Sequence, residues 1–156
     1  MKMLSKATLL AAGLMLAATA NAVDVSKSAK NGYKQQKVVY HVDDINMAGA
    51  AFRNVKNHLN ALGDENADII VVTHSSGAFA LVDGAMGKKD KDGKAYDFRD
   101  QVAALANRGV KFEICANTIR GKKIPKEKIN EYAKIVPSGV AQIAQLEQDG
   151  YVYIRP

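Results

Sequence analysis

The sequence contains a single cysteine, Cys115, so the chain can form no internal disulfide. It also lacks the G-x-G-x-x-G and G-x-x-x-x-G-K-[ST] patterns of nucleotide-binding loops. The G-x-S-x-G pattern that presents a hydrolase nucleophile is missing too, which argues against catalysis by Ser75 or Ser76. The sequence shows neither an internal repeat nor a second-domain boundary. What remains to explain is one lone thiol at the end of an apolar run.

The formal net charge of +6 is a modest excess that favours solubility and does not indicate a nucleic-acid-binding protein. Lys2 and Lys6 precede an apolar segment, 8–18, that is too short to span a bilayer comfortably. An A-x-A cleavage pattern ends at Ala22. We therefore predict a signal peptide over residues 1–22 and a periplasmic or secreted protein with no membrane segment after cleavage. An N-terminal membrane helix is the weaker alternative, because no stop-transfer pattern follows.

Beyond a flexible lead-in at residues 23–36, residues 37–156 read as one domain in which strands alternate with helices. The predicted strands are KVVYHV, DIIVVTH, GVKFEIC and YVYI. Two helices are predicted over about 46–62, with an apolar stripe of Met47, Ala51, Val55, Leu59 and Leu62, and over 97–107. A third is predicted to start at Pro125 and to carry Ile129, Tyr132 and Ala133. A fourth is predicted to start at Ser138, with Val140, Ile143, Ala144 and Leu146 facing inward. This alternation predicts a three-layer α/β/α sandwich around a mostly parallel sheet.

Reactive side chains follow the predicted strands at the points where they end. The ends carry His41 with Asp43, then His74, then Cys115 with Asn117 and Thr118. Ligands of parallel sheets bind outside the carboxyl ends of the strands, so these residues share a site if the strands are neighbours. The third histidine, His58, falls mid-helix and is predicted to be a surface or boundary residue.

Export places Cys115 in an oxidising compartment, where a lone thiol is buried and inert, bridged to another molecule, or kept free for chemistry. A helix that follows the strand would point backbone N–H groups at the sulfur. Arg120 adds positive charge, and both effects favour the thiolate. We therefore predict Cys115, His41 and His74 as catalytic residues and Arg120, Asn117 and Thr118 as groups that stabilise the anion, with no cofactor.

Several blocks of the chain, VVYHVDD, NVKNHLNAL, GVKFEICANT and VPSGVAQIAQLEQDGYVYIRP, resemble the DsrE/DsrF-like sulfur-relay proteins, in particular their exported single-domain branch. The resemblance runs from about residue 37 to the C-terminus. It implies a three-layer α/β/α fold, assembly into homo-oligomers, and a cysteine that accepts sulfur as a persulfide. Cys115 occupies the matching position. The resemblance does not name the sulfur donor or acceptor.

Three functions are compatible with this sequence. The first is a sulfur carrier or transferase in which Cys115 holds the sulfur. The second is a non-catalytic protein that binds a small ligand or a soft metal, zinc or copper, through His41, His74, Cys115 and Asp43. The third is a structural oligomer subunit in which Cys115 only fills the core.

Overall fold

A computed structural model describes residues 32–156, and the predicted signal peptide and most of the predicted lead-in lie outside the described residues. Five strands form one sheet in the order β4-β3-β2-β1-β5, and all four pairings are parallel. The strands are β1 Gln36–Val42, β2 Ala67–Thr73, β3 Lys111–Cys115, β4 Ala133–Val136 and β5 Val152–Ile154. The predicted parallel sheet is confirmed.

Four helices connect the strands: α1 Ile45–Leu62, α2 Arg99–Ala106, α3 Ala116–Gly121 and α4 Gly139–Gln148. Short 3₁₀ turns cover Asp64–Asn66, Ser75–Leu81, Asp83–Gly87 and Lys126–Lys128. Asp44 caps α1 by accepting the N–H of Asn46, and Gly63 ends this helix with a φ of 86°. An acidic N-cap and a glycine with positive φ are typical helix boundaries.

The two faces of the sheet are covered unequally. On one face, α1, α2 and the 75–81 turn enclose the larger apolar cluster. On the other face, α4 packs Ile143 and Leu146 against Val39, Ile70 and Val72. The helices therefore form the outer layers of a three-layer α/β/α sandwich, as predicted. Within residues 32–156, no helix is long and apolar enough to cross a membrane.

The predicted helix from Pro125 is wrong. A single 3₁₀ turn follows Pro125, and Ala133–Val136 is the edge strand β4, paired with β3. The spacing of Ile129, Tyr132 and Ala133 matched one helix face, but Ile129 forms an isolated bridge with Val82 and Ala133 pairs with Phe112. The outer edge of β3 needed a partner for its backbone groups, and that requirement overrode the local spacing.

Two predicted apolar faces also need correction. Met47 on α1 is exposed, and so are Val140 and Ala144 on α4. The buried stripe of α4 is Gly139, Ile143 and Leu146, at spacings of four and three residues. Because α4 contacts the sheet through this narrow stripe, residues one position to either side of it face outward.

Candidate functional site

The strands that carry the predicted site residues are neighbours. β1, β2 and β3 lie side by side in the sheet, and their carboxyl ends point the same way because the pairings are parallel. β3 ends at Cys115, His74 follows β2 directly, and His41 is the penultimate residue of β1. The geometric condition on which the sequence prediction depended is therefore met.

The two histidines are in direct contact. Their Nε2 atoms are 2.6 Å apart, and the rings stack with centroids separated by 4.6 Å. At this distance one nitrogen donates a proton and the other accepts it, so the pair holds a shared proton. Burial is the main cause that lowers the pKa of His41, and the adjacent His74 lowers it further. His41 is consequently uncharged at neutral pH.

A third member of this cluster is Tyr153, whose hydroxyl lies 2.7 Å from Nδ1 of His41. In the register of the sheet Tyr153 pairs with Val39, which shares a face of β1 with His41. Sequence reasoning predicted β5 but attached no role to its side chains. Alternation along β5 was the signal that could have placed Tyr153 beside His41.

His74 and Cys115 meet at the first residue of α4. A Cβ atom built on Gly139 would lie 3.1 Å from Cβ of His74 and 3.3 Å from Cβ of Cys115. The backbone of α4 can approach both strand ends this closely only because Gly139 has no side chain. Gly139 shows no sequence signal of this contact beyond being a glycine at the start of a predicted helix. Its position brings the start of α4 onto the thiol.

Cys115 is 5% exposed, yet it belongs to neither apolar cluster of the described residues. Burial by itself raises the pKa of the Cys115 thiol. Hydrogen bonding to the sulfur from the backbone N–H groups of Gly139, Thr118 and Asn117, and from the Thr118 hydroxyl, outweighs burial and lowers the pKa. The first N–H groups of a helix have no partner within the helix, which leaves them free to stabilise an anion.

Ser75 holds the Thr118 side chain in place. The N–H of Ser75 donates to Oγ1 of Thr118 at 3.1 Å, so the Thr118 hydroxyl proton remains available for the sulfur. Ser75 has a φ of 52°, a left-handed conformation that costs a non-glycine residue free energy. Strained backbone of this kind is concentrated at functional sites.

Gly77, two residues after Ser75, is a point of close approach between the 75–81 turn and the end of β1. A Cβ on Gly77 would lie 2.1 Å from the carbonyl oxygen of Val42, and its N–H donates to the carbonyl of Asp43 at 3.0 Å. Only glycine permits this contact. Gly77 thus fixes the turn that carries Ser75 against the end of β1.

Other predicted site residues serve elsewhere. Arg120 is exposed, and its guanidinium donates to the side-chain oxygen of Asn117. Asp43 pairs with Arg155 at 2.7 Å, and although burial raises the pKa of Asp43, the bond to Arg155 outweighs it and lowers this pKa. His58, which was not predicted to belong to the site, is a half-buried residue of α1 and lies between the Tyr40 hydroxyl at 3.0 Å and Oε1 of Gln36 at 2.6 Å.

The metal set predicted as an alternative, His41, His74, Cys115 and Asp43, is not assembled. Among residues 32–156 no group of three or more histidine, cysteine, aspartate or glutamate side chains is placed to hold a metal ion. The Nε2 atoms that would bind a shared metal are occupied with each other, and the carboxylate of Asp43 is occupied by Arg155.

The parallel sheet, with a cysteine and two histidines at adjacent strand ends, defines an α/β protein with a candidate site at the carboxyl ends of its strands. A family model described as the DsrE/DsrF-like family matches residues 11–156. The chain belongs to this family, as its motifs predicted. The family is of the sulfur-relay type.

Solved structures agree with this assignment. A protein of unknown function from Methanobacterium thermoautotrophicum, MTH1491, is 29% identical, with a TM-score of 0.65 over 78% of this chain and 99% of that chain. The ychN protein from E. coli is 15% identical, with a TM-score of 0.59 over the same shares of the two chains, and shows the shared fold alone. No curated protein matches the chain.

Proposed function

We propose that this protein carries sulfane sulfur on Cys115 as a persulfide and transfers it to an acceptor. The proposal is supported by the hydrogen-bond donors that surround the Cys115 thiol. The chain belongs to a sulfur-relay-type family, and Cys115 is at the position that the family motif indicates. The backbone N–H groups of Gly139, Thr118 and Asn117 favour the anionic form of its sulfur. A cysteine that only filled the core would have apolar neighbours and a raised pKa.

The chemistry needs a nucleophile and a place for one proton. The Cys115 thiolate attacks the terminal sulfur of a polysulfide, so that a new S–S bond forms on Cys115 while one S–S bond of the polysulfide breaks. The electron pair of the broken bond leaves on the shortened polysulfide as its anion. Attack by an acceptor thiolate on the outer sulfur of the persulfide reverses the step. N–H donors that already face the sulfur stabilise either anion without reorganising.

His41 and His74 are the groups that would move the proton. The pair holds one shared proton, and His74 adjoins Cys115 at Gly139. An imidazole close to the reacting sulfur can take the thiol proton before attack and return it afterwards. Within residues 32–156, Arg120 forms no hydrogen bond with the thiol; its guanidinium donates to Asn117, and it contributes through that residue.

Intact-mass measurement after exposure to polysulfide tests this proposal. We expect an adduct of one sulfur atom, about 32 Da, that a thiol reductant removes and that Cys115→Ser abolishes. Cys115→Ser keeps the size of the side chain and removes only the nucleophile. An unchanged mass for the wild-type protein, or an adduct that survives in Cys115→Ser, would contradict the proposal.

We further propose export with cleavage after Ala22 and assembly into a homo-oligomer. The first rests on the sequence pattern of residues 1–22 and the second on the family. The mass of the protein recovered from the periplasm or medium tests the cleavage, which predicts an N-terminus at Val23. Analytical ultracentrifugation of that material tests assembly, and a sedimentation coefficient of a monomer at all concentrations would exclude it.

A further inference from the structure

We propose that Tyr153 is a positioning residue at the outer end of a proton path that runs from Cys115 through His74 and His41 to solvent. This inference rests on the proposed sulfur chemistry of Cys115. It assigns a role to a residue of β5, the edge strand next to β1.

From His74 outward to Tyr153, the path is a line of hydrogen bonds. The Tyr153 hydroxyl is 2.7 Å from Nδ1 of His41, and Nε2 of His41 is 2.6 Å from Nε2 of His74. The remaining ring nitrogen of His74, Nδ1, forms no hydrogen bond among residues 32–156. Cβ and Cδ2 of His74 lie beside Gly139, and so does Cβ of Cys115, so His74 is the member of the line nearest the thiol.

Two proton arrangements fit these contacts, and they differ by the passage of one proton. In the first, Nδ1 of His41 donates to Tyr153, Nε2 of His74 donates to His41, and Nδ1 of His74 is an empty base. In the second, Nδ1 of His74 carries the thiol proton, Nε2 of His41 donates to His74, and Tyr153 donates to His41. Going from the first to the second removes one proton from the thiol and releases one from His41 to Tyr153.

Only a hydroxyl suits both arrangements, because it can accept from His41 in one and donate in the other. Tyr153 is 39% exposed, so its hydroxyl can exchange the proton with water. The charged groups that face His41 are Asp43, which follows β1, and Arg155, which follows β5; they are paired with each other and act on the pKa of His41 in opposite directions. Neither charge therefore locks the pair into one arrangement.

The test compares Tyr153→Phe with Tyr132→Phe. Tyr132 is a matched control because it is 40% exposed and lies just before β4, at the edge of the sheet opposite to β5. We expect Tyr153→Phe to slow persulfide formation from polysulfide by about 10-fold, less than the 10²–10⁴-fold typical of a general base lost outright. His41→Gln, which can form hydrogen bonds at both ends but cannot pass a proton, should show a similar loss. The thiol pKa, measured by alkylation, should be unchanged in both.

Nitrogen chemical shifts of the imidazoles give a readout that a purely structural role would not move. In Tyr153→Phe the tautomer populations of both histidines should change, whereas Tyr132→Phe should resemble the wild type in rate and in spectrum. Wild-type kinetics in Tyr153→Phe would overturn the proton path, and so would unchanged histidine shifts. A wild-type protein that forms no persulfide would instead overturn the proposed function, and the histidine shifts of Tyr153→Phe would still decide the path.

Discussion

Cys115 and Glu113 lie two residues apart on the same face of β3, and each is 5% exposed. Burial raises the pKa of Glu113, and its Oε2 has no hydrogen-bond partner. The same burial acts on Cys115, but the N–H groups of Gly139 and α3 reverse its effect and lower the thiol pKa. Backbone donors at the helix starts, rather than depth in the protein, therefore set the direction in which the pKa of each buried group shifts.

Of the substitutions considered, Gly139→Ala is expected to do most to reduce the difference between the pKa shifts of Cys115 and Glu113. The new methyl group would press on His74 and Cys115, so the start of α4 must move away from the sulfur. We expect a loss of about 1–3 kcal/mol in the free energy of unfolding. The thiol pKa should rise, because burial then acts on a sulfur that has lost the N–H of Gly139. Alkylation rates across pH and chemical denaturation measure the two effects.

Gly121→Ala is the matched control for Gly139→Ala. A Cβ at Gly121 would meet no atom within 4 Å, and this residue also lies at a helix end. It should leave both the pKa and the stability close to those of the wild type. Equal effects of the two substitutions would show that close approach at Gly139 is not what controls the thiol.

Thr118→Val removes one donor from the sulfur and leaves the shape of the side chain. A hydrogen bond to a charged group contributes about 1.5–3 kcal/mol, and about 1.4 kcal/mol corresponds to one pKa unit, so the thiol pKa should rise by about one unit. Thr118→Ser keeps the hydroxyl and should restore the low pKa. If Thr118→Ser behaves like Thr118→Val, the methyl group and not the hydroxyl matters.

Glu113→Gln tests how the burial of the Glu113 carboxyl affects stability. Because the folded pKa of Glu113 is raised, its ionisation opposes folding: stability is highest below the unfolded pKa and falls as pH rises towards the folded pKa. We expect Glu113→Gln to be more stable than the wild type at neutral pH by about 1 kcal/mol, with the difference vanishing near pH 4. Denaturation at several pH values measures this.

Glu147→Gln, at an exposed position of α4, is the control for Glu113→Gln. It should change stability little and by the same amount at each pH. A wild-type protein that becomes more stable than Glu113→Gln as pH rises would mean that Lys134, 3.9 Å from the carboxylate, compensates for its burial after all.

Arg120→Gln should have the smallest effect. Because Arg120 is exposed and contacts Asn117, water screens the electrostatic interaction between its charge and the sulfur. The thiol pKa should rise by less than in Thr118→Val. A larger rise in Arg120→Gln would favour side-chain charge over backbone donors as the cause of the lowered pKa.

Local patterns were sufficient for much of the fold. The apolar runs predicted β1, β2 and β3, and the stripe of Ala51, Val55, Leu59 and Leu62 predicted α1. They failed for β4, because an edge strand with an exposed Ile135 shows no clear alternation and is defined by its pairing with β3. Such pairing is a long-range property that local spacing does not contain.

The site shows the same division. His41, His74 and Cys115 were predicted because strand ends can be read along the chain. Tyr153 and Gly139 were not, since their roles depend on β5 and α4 being placed beside residues far away in sequence. Residues that hold an active group in position are harder to recognise in a sequence than the group itself.

The most direct test of the account is the pKa of Cys115 in the folded protein, measured from the pH dependence of its alkylation by a small reagent. We predict labelling without unfolding and a midpoint below that of an unperturbed cysteine, about 8.5. A midpoint at or above that value, or a thiol that reacts only after the protein unfolds, would contradict the account and leave Cys115 as a buried side chain.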